Sequence, residues 1–376
     1  MYGAFSPGGD MPKTGTADLP LHYGKAPRWL FQRMASLARE VALAIVTEFG
    51  TQELLRRLAD PFWFQAFGCV LGFDWHSSGL TTTVCGALKV GLKDIQNELG
   101  LYVAGGKGGT SRQTPQEIEA QGHHLQVAPA TLIYASRMSA KVDNTALQDG
   151  YQIYHHSFFF DRSGHWCVVQ QGMNVDTRYA RRYHWLSEGV RDFVVEPHSA
   201  ICCDQRGEVL NMVALESAEA RTASALLARE MPGKLVHELQ RLQELKLPQR
   251  HQVWLADVDP ARLGKIFLTT YEQQPQNFEA LLGMPGVGPK TIRALSLLAE
   301  IIYGAEVSTR DPVRFSFAHG GKDGYPYPVD RATYDRSIET LRTAIRRAKL
   351  GQRDKLDAFK RLSLWEGKTA LEQSGT

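Results

Sequence analysis

Between Asn277 and Gly304 the chain reads NFEALLGMPGVGPKTIRALSLLAEIIYG, two apolar segments punctuated by Met284-Pro285-Gly286-Val287-Gly288. The first segment carries Phe278, Leu281 and Leu282 on one helical face. The second opens at Pro289 and repeats Ile292, Leu295, Leu298 and Ile302 on another, the periodicity of an amphipathic helix. The spacing therefore predicts a helix-hairpin-helix over residues 277–304. Gly286 and Gly288 permit backbone conformations closed to other residues and leave no Cβ between main chain and ligand. Pro289 suits the first helical position, where a missing N–H costs nothing. The amides of the turn and helix start, beside Lys290 and Thr291, are then available to an anion such as a nucleic-acid phosphate.

The string from Gly286 to Thr291, with Val287 at its centre, resembles the helix-hairpin-helix of DNA repair enzymes, polymerases and ligases. The resemblance implies contacts to backbone phosphate without base readout. DNA is the favoured partner, although phosphate-binding amides would serve structured RNA equally.

Composition alone argues less. The 376 residues are 43% hydrophobic and 22% charged, with a net charge of +3, an ordinary balance for a globular chain of two or three domains. No apolar run approaches the roughly 20 residues a membrane span needs, and the first twenty residues lack the apolar core of a signal peptide. The expectation is a cytoplasmic protein without a membrane partner; oligomeric state is left open. Cys69, Cys85, Cys167, Cys202 and Cys203 form neither CxxC nor zinc spacing, which suits reduced thiols. Charge placement is more telling. Residues 331–361 carry 10 Lys/Arg against 4 Asp/Glu, so a basic helical end including Arg346 and Arg347 either lies along a phosphate backbone or is a solvated face.

Along the chain, residues 1–20 read as a flexible arm and 21–120 as a helical region. Residues 121–215 form a His-rich central part containing β structure, and 216–376 a helical C-terminal domain that includes the hairpin. The β signal is strongest at Tyr151–Phe160 and Trp166–Gln171, which flank the turn Asp161-Arg162-Ser163-Gly164. Further short strands are expected near Phe193–Val195 and Ala200–Cys203. The fold class is thus α+β: helix-rich, with a central β-hairpin or small antiparallel sheet and an all-α C-terminal domain. The Gly-rich stretch Ala104–Ser111 reads as a loop, either a plain linker or one that orders on DNA through Lys107. It lacks the GxxxxGK[ST] order of a nucleotide-binding loop, so no nucleotide cofactor is expected.

Seven of the twelve histidines lie between Gln121 and His198. LQDGYQIYHHSFFFDRSGHWCVVQQGMN interleaves Asp149, His155, His156, Asp161 and Gln170 with apolar strand residues. Burying such groups without partners costs on the order of 1–3 kcal/mol each, so a solvated cleft is expected. There, His155 or His156 would serve as general base or hold Mg²⁺ or Mn²⁺, with Asp149 or Asp161 as carboxylate partner. Two other readings remain: a binding surface without chemistry, and a hydrogen-bonded core network.

Two further resemblances bear on function. In glycosylases built on a helix-hairpin-helix, the hairpin lysine and a later V-D aspartate carry the chemistry, and Lys290 and Val329-Asp330 resemble these. The interval here is longer, and VDRATYD replaces the usual VDTH. Over nearly its whole length the chain looks like the archaeal and bacterial family labelled domain of unknown function 763, on LQDGYQIYHH, WCVVQQGMN, ARRYHWLS, GVGPKTIRAL and SFAHGGKDGYPYPVD. That resemblance implies no activity. Taken together, these features lead to an expectation of a DNA-binding protein that processes DNA in repair, a metal-dependent nuclease. The alternatives are a non-catalytic architectural binder, or a glycosylase or abasic-site lyase using Lys290 and Asp330.

Overall fold

The computed structural model describes residues 26–73, 79–177, 179–203, 205–244, 258–313, 331–348 and 351–373. The N-terminal helices are α1 (Arg28–Phe49), α2 (Thr51–Ala59), α3 (Pro61–Leu71), α4 (Gly79–Leu92) and the short α5 (Gln96–Leu99). Asp60 shows why α3 begins where it does. Its Oδ1 accepts the amides of Phe62 and Trp63 at 2.8 and 3.2 Å, with Pro61 in the first turn, an N-cap and proline in their preferred places.

The central sheet holds β1 (Leu101–Lys107), β3 (Gln152–Asp161), β4 (Trp166–Met173), β5 (Ala180–Leu186) and β6 (Ala200–Cys202), all antiparallel, in the order β1-β3-β4-β5-β6. The expected hairpin is its centre, and Asp161 builds the turn. Asp161 Oδ1 accepts the amides of Ser163 and His165 at 2.9 and 3.0 Å, and Gly164 takes φ +91°. A second sheet pairs β2 (Leu147–Gln148) with β7 (Leu210–Asn211). Between sheet strands run α6 (Thr114–Glu119), α7 (Pro129–Lys141) and a π-helical turn, Val142–Ala146. The chain continues through α8 (Ala218–Leu227), α9 (Pro232–Glu244), α10 (Pro260–Gln273), α11 (Phe278–Gly283), α12 (Pro289–Tyr303), α13 (Arg331–Arg347) and α14 (Gln352–Gln373).

Alternation along the strands sends side chains to two separate cores. Phe158, Phe160, Val168 and Trp185 face one core, shared with α7 and with α8 to α12. Phe159, Cys167 and Val169 face the other, built from α1 to α4 and closed by Leu341, Ala344 and Ile345 of α13 and Ala358 and Leu362 of α14. The cores thus cross the boundaries drawn at residues 120 and 215, and the last two helices return to the N-terminal ones.

Three local expectations need correction. Residues 104–107 are strand: Gly105 has φ +83°, a Cβ there would stand 2.3 Å from the carbonyl oxygen of His156, and Glu117 accepts its amide at 2.6 Å. The glycines serve close backbone approach, with only the 3-10 turn Gly108–Gln113 beyond them. Phe193–Val195 is a turn, because Asp192 Oδ1 accepts the Val194 amide at 2.7 Å. Ile302, placed on the buried stripe of α12, is 46% exposed, and the stripe stops at Leu298 and Ala299.

Candidate functional site

The polar groups of the centre form buried networks rather than the expected cleft. His155, His156, Gln170, Gln171, Arg181, Arg182 and His184 are all buried. Successive residues of a strand point to opposite faces, and His155 and His156 do so, which prevents them from holding one metal ion together. His155 meets Ser157 Oγ at 3.1 Å through Nε2. Burial, and then the neighbouring His156 and Lys107, pushes its pKa down to about 3, far from the range that suits a base near neutral pH. Burial also lowers His156. Among the described residues no group of three or more His, Cys, Asp and Glu is placed to hold a metal ion.

His156 and Gln170 do come together, across β3 and β4 where they are directly paired. His156 Nε2 meets Ser136 Oγ at 2.9 Å, and its Nδ1 meets Gln170 Oε1 at 3.0 Å. The Gln170 amide donates to Asp143 Oδ2 at 2.5 Å, and the Trp185 indole donates to the same oxygen at 2.9 Å. Asp143 lies in the π-turn, fully buried, and its Oδ1 meets His198 Nε2 at 2.5 Å. One hydrogen-bonded line therefore runs from α7 through the sheet to His198.

His198 ends that line at a cavity of about 520 Å³, which Glu196, Asn211, Arg206, Arg310 and Asp311 also line. Glu196 holds φ +42°, an uncommon backbone conformation for a residue other than glycine. Behind Asp311 of this lining stands a buried charged cluster. Arg181 donates to Asp149 Oδ2 at 2.9 Å and to both oxygens of Asp311 at 3.1 and 2.7 Å, and Tyr183 Oη donates to Asp149 at 2.6 Å. Burial opposes the guanidinium charge, but Asp149, Tyr183 and Asp311 outweigh it and hold the Arg181 pKa above its ordinary value. Asp149 is thus a buried partner of Arg181, which also holds Asp311 of the cavity lining. Asp161 lies in the β-turn instead, accepting also from Thr51 Oγ1 at 2.9 Å. Asp330 falls outside the described residues.

The turn between α11 and α12 is built as a rigid knuckle. Val287 is buried in the first core, while Pro285 and Gly286 are exposed. Lys141 Nζ donates to the Val287 carbonyl at 2.5 Å and the Met284 carbonyl at 3.4 Å. Gln148 donates to the Pro289 carbonyl at 2.8 Å and accepts from Arg293 Nε at 3.0 Å. Gly286 takes φ +81°, which favours glycine. Gly288 is extended, at φ −136°, and no side chain caps the start of α12 there. Lys290 is exposed and the Thr291 side chain buried. Lys141 closes α7 immediately before the π-turn that holds Asp143, so one short segment supports both the knuckle and the His198 line.

Other candidate contacts lie elsewhere. Lys107 is exposed at the end of β1, its Nζ 5.7 Å from the centre of the Tyr154 ring. Arg346 and Arg347 are exposed on α13, across the sheet from the turn, and Arg347 pairs with Glu48 of α1. Sequence adjacency to the hairpin does not bring them to its side. Sequence reasoning named His198 only as one of seven histidines and missed Asp143. Its signal was faint: one acid in KVDNTAL, next to a helix end.

The molecule is thus an α+β protein, an antiparallel sheet between two helical layers, with a charged cavity at the end of a buried polar line. The chain belongs to the family described as protein of unknown function (DUF763), which it matches over residues 15–329. No curated protein and no solved structure matches it. No helix among the described residues is long and apolar enough to cross a membrane.

Proposed function

We propose that the protein binds nucleic-acid backbone, DNA by preference, by using residues 277–304 as a helix-hairpin-helix, and that it processes the DNA it holds, in repair. The observation that carries this reading is the exposed Pro285-Gly286 turn leading into an uncapped helix start at Pro289, with Lys290 exposed beside it. The first amides of a helix have no intrahelical partner and bear the positive end of its dipole. A phosphate oxygen fits that chemistry. The rigid seating of the turn on Lys141, Gln148 and Val287 keeps those amides preorganised. Contacts of this kind position a duplex without specifying its sequence.

The test is fluorescence anisotropy with the full chain and two labelled duplexes of unrelated sequence, over a series of KCl concentrations. Both duplexes should bind with similar affinity, and log K should fall linearly with log [KCl]. Lys290→Glu should weaken both alike and lower the slope by about 0.9, the share of one phosphate contact. An unchanged slope and affinity in Lys290→Glu would take the turn out of the interface. Cleavage of the same DNA is followed on denaturing gels with Mg²⁺, with Mn²⁺ and with EDTA, which tests the metal-dependent nuclease form of the proposal. Binding without cleavage in every condition would favour the architectural form. The glycosylase form asks Lys290 to act as a nucleophile, a role that calls for a desolvated amine, whereas Lys290 is exposed. Borohydride trapping on abasic DNA would reveal it.

A further inference from the structure

We propose that His198 is a general base for the hydrolysis of a phosphodiester in the cavity it lines, with Asp143 as its positioning residue. The choice of a phosphodiester rests on the DNA-binding reading and on the chemistry of the rim. His198 meets Asp143 Oδ1 through Nε2. With that nitrogen donating its proton to the carboxylate, Nδ1 carries the lone pair, the tautomer a base requires. Asp143 is fully buried, and its other hydrogen-bond partners, the Gln170 amide and the Trp185 indole, are neutral. A buried carboxylate answered by one imidazole stabilises the imidazolium that forms when that ring takes a proton. The ring is held further by edge contact with Trp185, centroids 4.6 Å apart.

Two independent features mark the same place. Asp143 sits in a π-turn, a distortion that recurs at functional sites. Glu196, two residues before His198, is held at φ +42° with its amide donating to the Val213 carbonyl at 2.8 Å, and uncommon backbone of this kind also clusters at such sites. The cavity, at about 520 Å³, is in the range of small-ligand sites. Arg206 and Arg310 are exposed at its rim, and guanidinium matches phosphate geometry. Arg310 also pairs with Glu216 at 3.0 Å. The described lining includes no serine, threonine, cysteine or lysine, so the attacking oxygen comes from water.

In the step, His198 Nδ1 takes a proton from water as the water oxygen bonds to phosphorus. The bond from phosphorus to the leaving oxygen breaks, and that oxygen takes up a proton from the imidazolium. The products are a phosphomonoester and an alcohol, with no change of oxidation state. Arg206 and Arg310 would offset the charge that grows on the non-bridging oxygens.

The test uses the full chain with bis(p-nitrophenyl) phosphate and, in parallel arms, end-labelled DNA and RNA. Wild type should hydrolyse the small diester, and the polymer arms then distinguish the source of the phosphate. His198→Gly should lose at least ~100-fold in rate and regain part of it with added imidazole, which a purely structural histidine would not. Asp143→Asn should lower kcat on the order of 10³-fold with KM unchanged, since an amide facing Nε2 favours the wrong tautomer. Thermal melts of each variant separate lost chemistry from lost fold. No hydrolysis of any of the three substrates by wild type would overturn the proposal. So would a folded His198→Gly that keeps its rate, or one that imidazole fails to rescue. DNA binding without hydrolysis would sink this site and leave the binding reading standing, whereas His198-dependent hydrolysis of the small diester without DNA binding would do the reverse.

Discussion

Replacing Arg181 by methionine should destabilise the protein by about 3–5 kcal/mol, the cost of leaving a buried carboxylate without its cation. The geometry sets that magnitude. The Arg181 and Asp149 side chains are each 1% exposed and that of Asp311 is 4%, so water cannot replace the guanidinium that bonds both. Arg181 also stacks over Tyr151 at 4.4 Å, and methionine preserves much of that apolar contact. Urea denaturation at pH 7, followed by tryptophan fluorescence, reads the loss directly. Adding Asp149→Asn to the methionine variant should restore part of it, because the double variant buries one charge fewer. The pH dependence carries a definite sign. Burial already pushes the Asp149 pKa up, against the pull of Arg181, and in the variant only the hydrogen bonds from Tyr183 and the Tyr151 amide still oppose that push. A carboxyl group with a raised folded pKa favours the native state at low pH and weakens it as pH rises. The deficit relative to wild type should therefore be greatest near neutrality and shrink toward about pH 4, the ordinary carboxylate range. A loss under about 1 kcal/mol at pH 7, or a deficit that grows on acidification, would refute the reasoning.

The remaining predictions are briefer. Gly286→Ala should cost roughly 1–2 kcal/mol from its left-handed backbone, since its Cβ would meet nothing closer than Ile266 Cγ1 at 3.9 Å; Gly288→Ala, extended and unobstructed, should cost less, and chemical denaturation of the pair checks the order. Burial holds His155 down to about 3 and lowers His156 and His184, so the unfolded chain binds more protons below about pH 6.5. Stability should fall on acidification by up to about 1.4 kcal/mol per pH unit for each of these histidines, and a urea midpoint unchanged between pH 7 and 5 would contradict the burial argument. His155→Gln should flatten that slope.

Local signals in the sequence translated well wherever one short segment decides the outcome. Asp161 and Gly164 close the β3–β4 turn read at residues 161–164, and the stripe that opens at Ile292 is buried through Leu298. The glycines of β1 misled because glycine signals mobility in a sequence, whereas here His156 and Glu117 crowd its backbone. The polar strand residues were legible as unusual, but the partners that most of them find were not. Register puts Gln170 opposite His156, but Arg182 reaches Gln65 of α3, His184 meets the Leu58 carbonyl of α2, and buried His155 Nδ1 finds no hydrogen-bond partner. The cavity was the least legible part. Its wall brings Glu196 and His198 beside Asn211 and Asp311, while Asp143 behind it comes from a different turn. No spacing within one segment records that convergence.

Amide hydrogen exchange of the full chain, with and without a saturating short duplex, tests the central claim most directly, because the claim concerns particular backbone N–H groups. The account predicts slowed exchange at Gly286, Val287, Gly288, Lys290 and Thr291 when DNA is present, independent of duplex sequence. Protection confined to other surfaces, with exchange in this turn unchanged while DNA is bound, would contradict it.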